Sequence, residues 1–439
     1  MKYSNIVLAL TVLVFTACGG GSSSPKSNDT KMTCSQNSNK VLKSSLSSAP
    51  TIEQSFLNQT KLLVQQSKIE KQAKEFDNKG LYDLFHTEYF WAEETKTLDY
   101  NSYNTPQTLI DALKYKEDKW SFAITPEEYN EVSSQKAIGL GFSCQDFKSG
   151  CLITYIRMDS PADKIDLRRG DIIEKVNNQK ATQESIYKFA KEEKNIEFKI
   201  SRLNSNEQCT GTVTPKEYTY TVAKGDILET RNKEKVGYLR LDSFLGDKTI
   251  VSQLDKSFDN FKKENIQKLI IDLRYNGGGS VDVASTLLNK LLINKKDLEQ
   301  FTLAWNKNYR KKDKAYLFDS ASNSLDLKQI LFLTTQNSAS ASELIISAMK
   351  PYLPENDVVI IGDKTHGKPV GMEGKSDGNY YYFLINFVVK NSLGFYEYFE
   401  GLPVTEGCEI KDDPFHEMGD KEEAMLKSAL LYVDIGSCE

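Results

Sequence analysis

Three short segments of this chain bring nucleophilic, basic and glycine-rich residues together in an order that could support acyl transfer. The first is Asp272-Leu273-Arg274-Tyr275-Asn276-Gly277-Gly278-Gly279-Ser280. Glycines between an apolar strand and a helix leave backbone N–H groups unobstructed at the helix's positive end. Such groups can hold a developing oxyanion, which must approach closely. The segment also fits a tight strand–helix turn or a phosphate loop, although no Lys-Ser/Thr pair follows as a Walker motif requires. The second is Ser338-Ala339-Ser340-Ala341-Ser342-Glu343. Its small residues allow a sharp turn that exposes a hydroxyl at a helix N-terminus. Ser340-x-x-Glu343 also fits a capping box, and on the hexapeptide alone capping is the simpler reading. The third is Gly362-Asp363-Lys364-Thr365-His366-Gly367-Lys368-Pro369, after four apolar residues at 358–361. A lysine at the end of a buried strand can be desolvated, which disfavours its ammonium form. The neutral amine can then accept a serine proton. By default, one lysine among 56 Lys and Arg residues is a solvated surface charge.

All three segments need a scaffold that ends strands beside one another. From about residue 235 onward the pattern supplies one. Apolar strands at 236–241, 268–273, 329–334 and 358–361 alternate with helices at 249–265, 281–292 and 341–350. That alternation predicts an α/β core with a mainly parallel, buried sheet, and sites collect at the carboxyl ends of such strands. Residues 380–390 and 394–399 read as a further hairpin, and 420–432 as the closing helix. Upstream, residues 136–203 are short strands and turns. Residues 50–130 read helical, with Leu57, Leu62, Leu63, Ile69 and Phe76 at near-helical spacing, a second helix at 107–115, and Pro126 stopping the pattern. This predicts a small helical N-terminal domain over 49–130.

Composition sets the compartment. The chain has 439 residues and a net charge of −5, so no basic field attracts nucleic acid. Lys2 precedes an apolar run at 6–15, too short to span a bilayer but suited to a signal-peptide core. The run ends in Phe15-Thr16-Ala17-Cys18, which resembles the bacterial lipobox. The resemblance implies a signal peptide over 1–17 and lipidation of Cys18. Residues 18–48 then form a flexible tether of Gly, Ser, Asn, Lys and Thr. The expected location is the cell envelope, lipid-anchored on the periplasmic side of the outer membrane. Six further cysteines in an exported chain suggest disulfides. Cys144 with Cys151 and Cys408 with Cys438 are candidate pairs, which leaves Cys34 and Cys209. Fifteen pairings remain open on sequence alone. No CxxC pair exists and there are three histidines, so neither a metal site nor a cofactor is expected.

The motifs taken together resemble a known family. Gly139-Leu140-Gly141-Phe142, Ser160-Pro161-Ala162 and Arg169-Gly170-Asp171-Ile172-Ile173 follow the landmark order of a PDZ domain over 136–203. "KVGYLRLDSF", "DLRYNGGGS", "SASASE" and "GDKTHGKPVG" then appear in the order of the tail-specific, or C-terminal processing, serine peptidases. The resemblance covers about residues 80–435. It implies a crotonase/ClpP-like ββα spiral over 204–435 with an inserted PDZ-like domain, and a Ser-Lys dyad of Ser340 and Lys368. It further implies an oxyanion hole from the N–H groups of Ala341 and Gly278. The N–H groups of Leu140, Gly141 and Phe142 would receive a substrate's C-terminal carboxylate. The implied partners are proteins or peptides with accessible C-termini, together with the membrane that holds the anchor. Two departures stand out. Met372 occupies the place of an orienting glutamine four residues after the lysine, and the serine–lysine spacing is longer than usual, with Pro351 and Pro354 inside the connection. A Ser-His-Asp triad of Ser340, His366 and Asp363 or Asp272 can also be written. Asp272 and Arg274 are expected to pin the glycine loop, and His86 and His416 to be structural. The competing function is a non-catalytic peptide or small-ligand binder on the same fold. A lipase or esterase would want a G-x-S-x-G elbow, which Ser340 lacks.

Overall fold

Three apolar strands, Lys268–Asp272, Gln329–Thr334 and Val358–Gly362, lie side by side and parallel in that order. They are almost wholly buried because both faces of the sheet are covered. Alternate residues enter two separate cores, as strand geometry requires. Leu269, Ile271, Ile330, Phe332 and Ile360 join one core, with Leu254 and Phe258 of helix Asp247–Lys263, Leu287 of Val281–Leu291 and Ile345 of Ala341–Met349. Ile270, Leu331, Leu333, Val359 and Ile361 join the other, against Leu426 and Ala429 of helix Ala424–Ile435. Lys235–Leu241 extends the sheet in parallel and Ala223–Glu229 ends it antiparallel. The chain is seen here as a computed structural model describing residues 6–8, 29–36, 75–133, 136–192 and 194–439.

A second, antiparallel sheet crosses the core. Val370–Ser376, Tyr381–Asn391, Glu299–Trp305 and Lys314–Leu317 are neighbours in that order. Phe122–Ile124 pairs with Tyr381–Asn391, and Ile6–Leu8 runs along Val370–Ser376. Helices Asn78–Thr87 and Pro106–Leu113 pack on this sheet. Leu81, Phe85, Leu109, Ile110 and Leu113 share one core with Val370, Met372, Phe383 and Ile385. The helical N-terminal region is therefore built onto the sheet instead of standing apart, since two short helices have too little apolar surface to close a core of their own. Pro126 does not stop a helix but opens one, Pro126–Ser133, where its missing N–H costs nothing. The expected hairpin of 380–390 with 394–399 is not formed. Tyr381–Asn391 pairs with Val370–Ser376 and Glu299–Trp305 instead. The predicted helical positions Leu57, Leu62, Leu63 and Ile69 lie outside the described residues, as do Cys18 and most of the tether.

The segment from residue 136 forms its own sheet. Phe142–Phe147, Gly150–Ile156, Asp171–Val176, Ile196–Arg202 and Glu207–Val213 follow one another, and Thr30–Gln36 is added at the far edge. The sheet thus passes the expected boundary at 203. Helix Gln183–Lys191 starts with a Thr182/Ser185 capping box, and its Ile186 packs in this unit's core. Cys144–Cys151, Cys408–Cys438 and Cys34–Cys209 are each disulfide-bonded. The last of these fastens the added strand to the sheet.

Candidate active site

The three parallel strands deliver the three loops to one end of the sheet. The glycine loop follows Lys268–Asp272, Ser340 follows Gln329–Thr334, and Lys368 follows Val358–Gly362. The alternation of serines in the second loop has a structural basis. Ser338 Oγ donates to Leu273 O at 2.7 Å and accepts Thr335 N–H at 3.0 Å. Ser342 Oγ donates to Asn276 O at 2.8 Å. The outer serines therefore stitch the turn to the glycine loop, and the middle one is left at its apex. Ser340 has φ +59° and ψ −112°, a strained conformation for a residue with a side chain. Ser340 and Glu343 form the capping box that the sequence allows, and Glu343 Oε2 holds the Ser340 N–H at 2.8 Å.

Glu343 is the residue whose importance the sequence understated. It is fully buried, and its carboxylate joins two loops. Oε2 accepts the N–H of Ser340 and the N–H of Lys368, both at 2.8 Å. Oε1 accepts the N–H of Gly367 at 2.6 Å and the hydroxyl of Thr365. Burial pushes this carboxyl up, and the four hydrogen bonds oppose that rise. One side chain thereby fixes the backbone of the serine relative to that of the lysine.

Lys368 is 1 % exposed. Burial pushes its ammonium down to about 8, against the upward pull of Asp118 and Glu343. That is the perturbation a lysine base needs. His366 takes a different role. Trp120 Nε1–H donates to His366 Nε2 at 3.3 Å, and Nδ1 lies 3.3 Å from Gln336 O. These partners assign the proton to Nδ1 and occupy the Nε2 lone pair. Burial, then the charge of Lys368, holds this imidazole below its usual range. The carboxylates of the written triad are engaged elsewhere. Asp272 binds Arg274 and Tyr238, and Asp363 accepts Lys364 N–H at 2.9 Å.

The glycine loop packs directly on the serine. Gly278 has φ +104°, and a Cβ there would stand 2.9 Å from Ser340 Cβ and 3.0 Å from Ala341 N. Its N–H donates to Asn276 Oδ1 at 2.8 Å, so the expected oxyanion donor is hydrogen-bonded within its own loop. Gly278→Ala should displace the Ser340 turn and lower the melting temperature, which a thermal melt reads. Behind the loop, Arg274 is fully buried. It binds Asp272 at 2.6 Å, Asp412 at 2.8 Å and Glu423 at 2.9 Å, as expected of a pinning residue. Burial pushes Asp412 up, but Arg169 and Arg274 outweigh it and hold the carboxyl at about 2. Arg169 belongs to the 136–213 unit and also bonds Tyr275 Oη at 3.0 Å, so that unit touches the glycine loop through buried charges.

Leu140, Gly141 and Phe142 lie elsewhere, at the start of the edge strand Phe142–Phe147. Gly141 has φ +84°, and a Cβ there would meet Ser160 Cβ at 2.1 Å. Its carbonyl accepts Arg157 N–H at 2.9 Å. His86 Nδ1 lies 3.0 Å from Tyr82 O, and His416 lies against Asp413, so both stay outside the site.

Residues 235–378 match the family model described as Peptidase family S41, and residues 77–122 match that of the Peptidase S41 N-terminal domain. The "Probable CtpA-like serine protease" of Staphylococcus aureus (strain COL) is 26 % identical over 301 residues, covering 66 % of this chain and 56 % of the relative. Its counterpart in Staphylococcus haemolyticus (strain JCSC1435) is 25 % identical over 296 residues, covering 64 % and 56 %. The chain thus spans little more than half the length of these curated relatives. A crystal structure from Bacteroides fragilis NCTC 9343, assigned to the S41 proteases, superposes with a TM-score of 0.69 at 20 % identity. The match covers 83 % of this chain and 99 % of that one, which shows a shared peptidase core fold.

Proposed function

We propose that the chain is a serine endopeptidase of the C-terminal processing type working through Ser340 and Lys368, a reading supported by the Peptidase family S41 matches at 235–378 and 77–122 and by the CtpA-like relatives. One observation carries the reading. The Glu343 carboxylate accepts both the Ser340 and the Lys368 N–H at 2.8 Å, so a strained serine and a desolvated lysine share one rigid frame. Neutral Lys368 takes the Ser340 proton as Oγ attacks the peptide carbonyl. Ala341 N–H receives the oxyanion, and Gly278 N–H becomes the second donor by exchanging Asn276 Oδ1 for the more basic oxygen. The Lys368 ammonium then protonates the leaving amine, and water repeats the sequence on the acyl-enzyme.

The 136–213 unit supports a PDZ-like reading, in which a substrate C-terminus adds along Phe142–Phe147 with its carboxylate at Leu140, Gly141 and Phe142. The helical region at 78–133 acts as a cover on the core. The apolar run before Cys18 supports export and lipid anchoring at the cell envelope, which would place the enzyme among envelope proteins. The test is cleavage of an unstructured peptide, with products identified by mass spectrometry. Cleavage with release of C-terminal fragments is expected. Saturable peptide binding without product between pH 6 and 10 would favour the non-catalytic binder.

A further inference from the structure

Met372 offers Lys368 no polar support. It is fully buried in an apolar core with Leu81, Phe85 and Leu109. A buried carboxylate lies two residues before Trp120, which bonds the base loop. Asp118 lies between helix Pro106–Leu113 and strand Phe122–Ile124 and is 2 % exposed. Its Oδ1 accepts the N–H groups of Trp120 at 2.9 Å and Ser121 at 2.8 Å. Its Oδ2 accepts the Tyr89 hydroxyl at 2.8 Å and the Ser121 hydroxyl. All of these donors are neutral groups. The segment is fastened once to the strand beside Met372 and once to the base loop itself. Ser121 Oγ accepts the N–H of Ile385 at 3.0 Å, and Ile385 is the strand partner of Met372. Trp120 bonds His366, two residues before Lys368, at 3.3 Å.

We propose that Asp118 is a positioning residue for Lys368, a carboxylate of the N-terminal region that acts on the base loop through the turn it holds and the Trp120–His366 contact. The proposal rests on Lys368 being the base. The titratable groups bearing on Lys368 come from three elements: Asp118 from the N-terminal region, Glu343 from helix Ala341–Met349, and His366 from its own loop. Asp118 pulls the ammonium upward more than Glu343 does. Glu343 and Asp118 each accept four neutral donors, Glu343 on the serine and lysine loops and Asp118 on the turn that carries Trp120.

The experiment is the pH profile of kcat/KM for an unstructured peptide, in the unaltered protein and in Asp118→Asn. Removing the negative charge lowers the Lys368 pKa further, so the acidic limb should move down by roughly 0.5–1 pH unit. The plateau rate should fall by about tenfold as the amine loses its orientation. A structural defect alone would lower the plateau without moving the limb. An unmoved limb in a folded variant overturns the proposal. If Asp118→Asn does not fold, Asp118→Ser is read in the same way, since it keeps an acceptor for the two backbone N–H groups. Failure of both to fold assigns Asp118 to the architecture alone and also overturns it. An unaltered protein that is active but shows no limb near pH 8 removes the underlying reading of Lys368, a result distinct from an unmoved limb in the variant.

Discussion

Ser340→Ala and Lys368→Ala should each lose peptide hydrolysis by about 10³-fold or more, and the double variant should lose little beyond either one. The non-additivity follows from the chemistry. Without the neutral amine the hydroxyl is a weak nucleophile, and without the hydroxyl the amine has no proton to take. Ser340 is 4 % exposed and Lys368 1 %, so neither side chain has a solvated alternative role. Both variants should keep their fold, because the backbone frame is set by Ser338, Ser342 and Glu343. The check is kcat/KM on an unfolded peptide beside a thermal melt. Near-normal turnover in either folded variant contradicts the assignment.

Glu343→Gln should combine a large loss of stability with a large loss of rate. The carboxylate accepts four donors, three of them backbone N–H groups. An amide keeps one oxygen and turns an NH₂ group toward donors, which leaves buried N–H groups unpaired. The expected destabilisation is roughly 2–4 kcal/mol. Since those N–H groups belong to Ser340, Gly367 and Lys368, the dyad also loses its register, and kcat should fall by about 10²-fold. KM should change little, because Glu343 lies behind the dyad. Thermal melts and steady-state kinetics read both effects. A variant with normal stability and kcat would show that the frame is held by something else.

The three loops could be read from the chain because each is a local strand–loop–helix pattern, and the parallel strands because each is an unbroken apolar run. What was obscured is long-range. Glu343 looked like a helix cap because Ser340 is three residues away, while Thr365 and Lys368 are 22 and 25 residues on. Trp120 and His366 are 246 residues apart, and no local pattern joins them. The extent and register of Val370–Ser376 were obscured because Gly371, Gly374 and Lys375 dilute its apolar signal. Its burial is supplied by the long strand Tyr381–Asn391 and by the helices Asn78–Thr87 and Pro106–Leu113. Pro126 was misread because a proline marks a helix start as readily as an end, and only the chain before it decides which. The Gly278 N–H was legible as a donor, but its present acceptor, Asn276 Oδ1, depends on how the loop folds back on itself.

The pairing of Ser340 with Lys368 is tested most directly by the rate of covalent labelling of Ser340 with a fluorophosphonate across pH, in the unaltered protein and in His366→Asn. Labelling should be confined to Ser340 and should rise with pH through about 8, where Lys368 loses its proton. The same limb should persist in His366→Asn. A limb nearer the ordinary histidine value of about 6.5, lost together with labelling in His366→Asn, would contradict the account and make the imidazole the base.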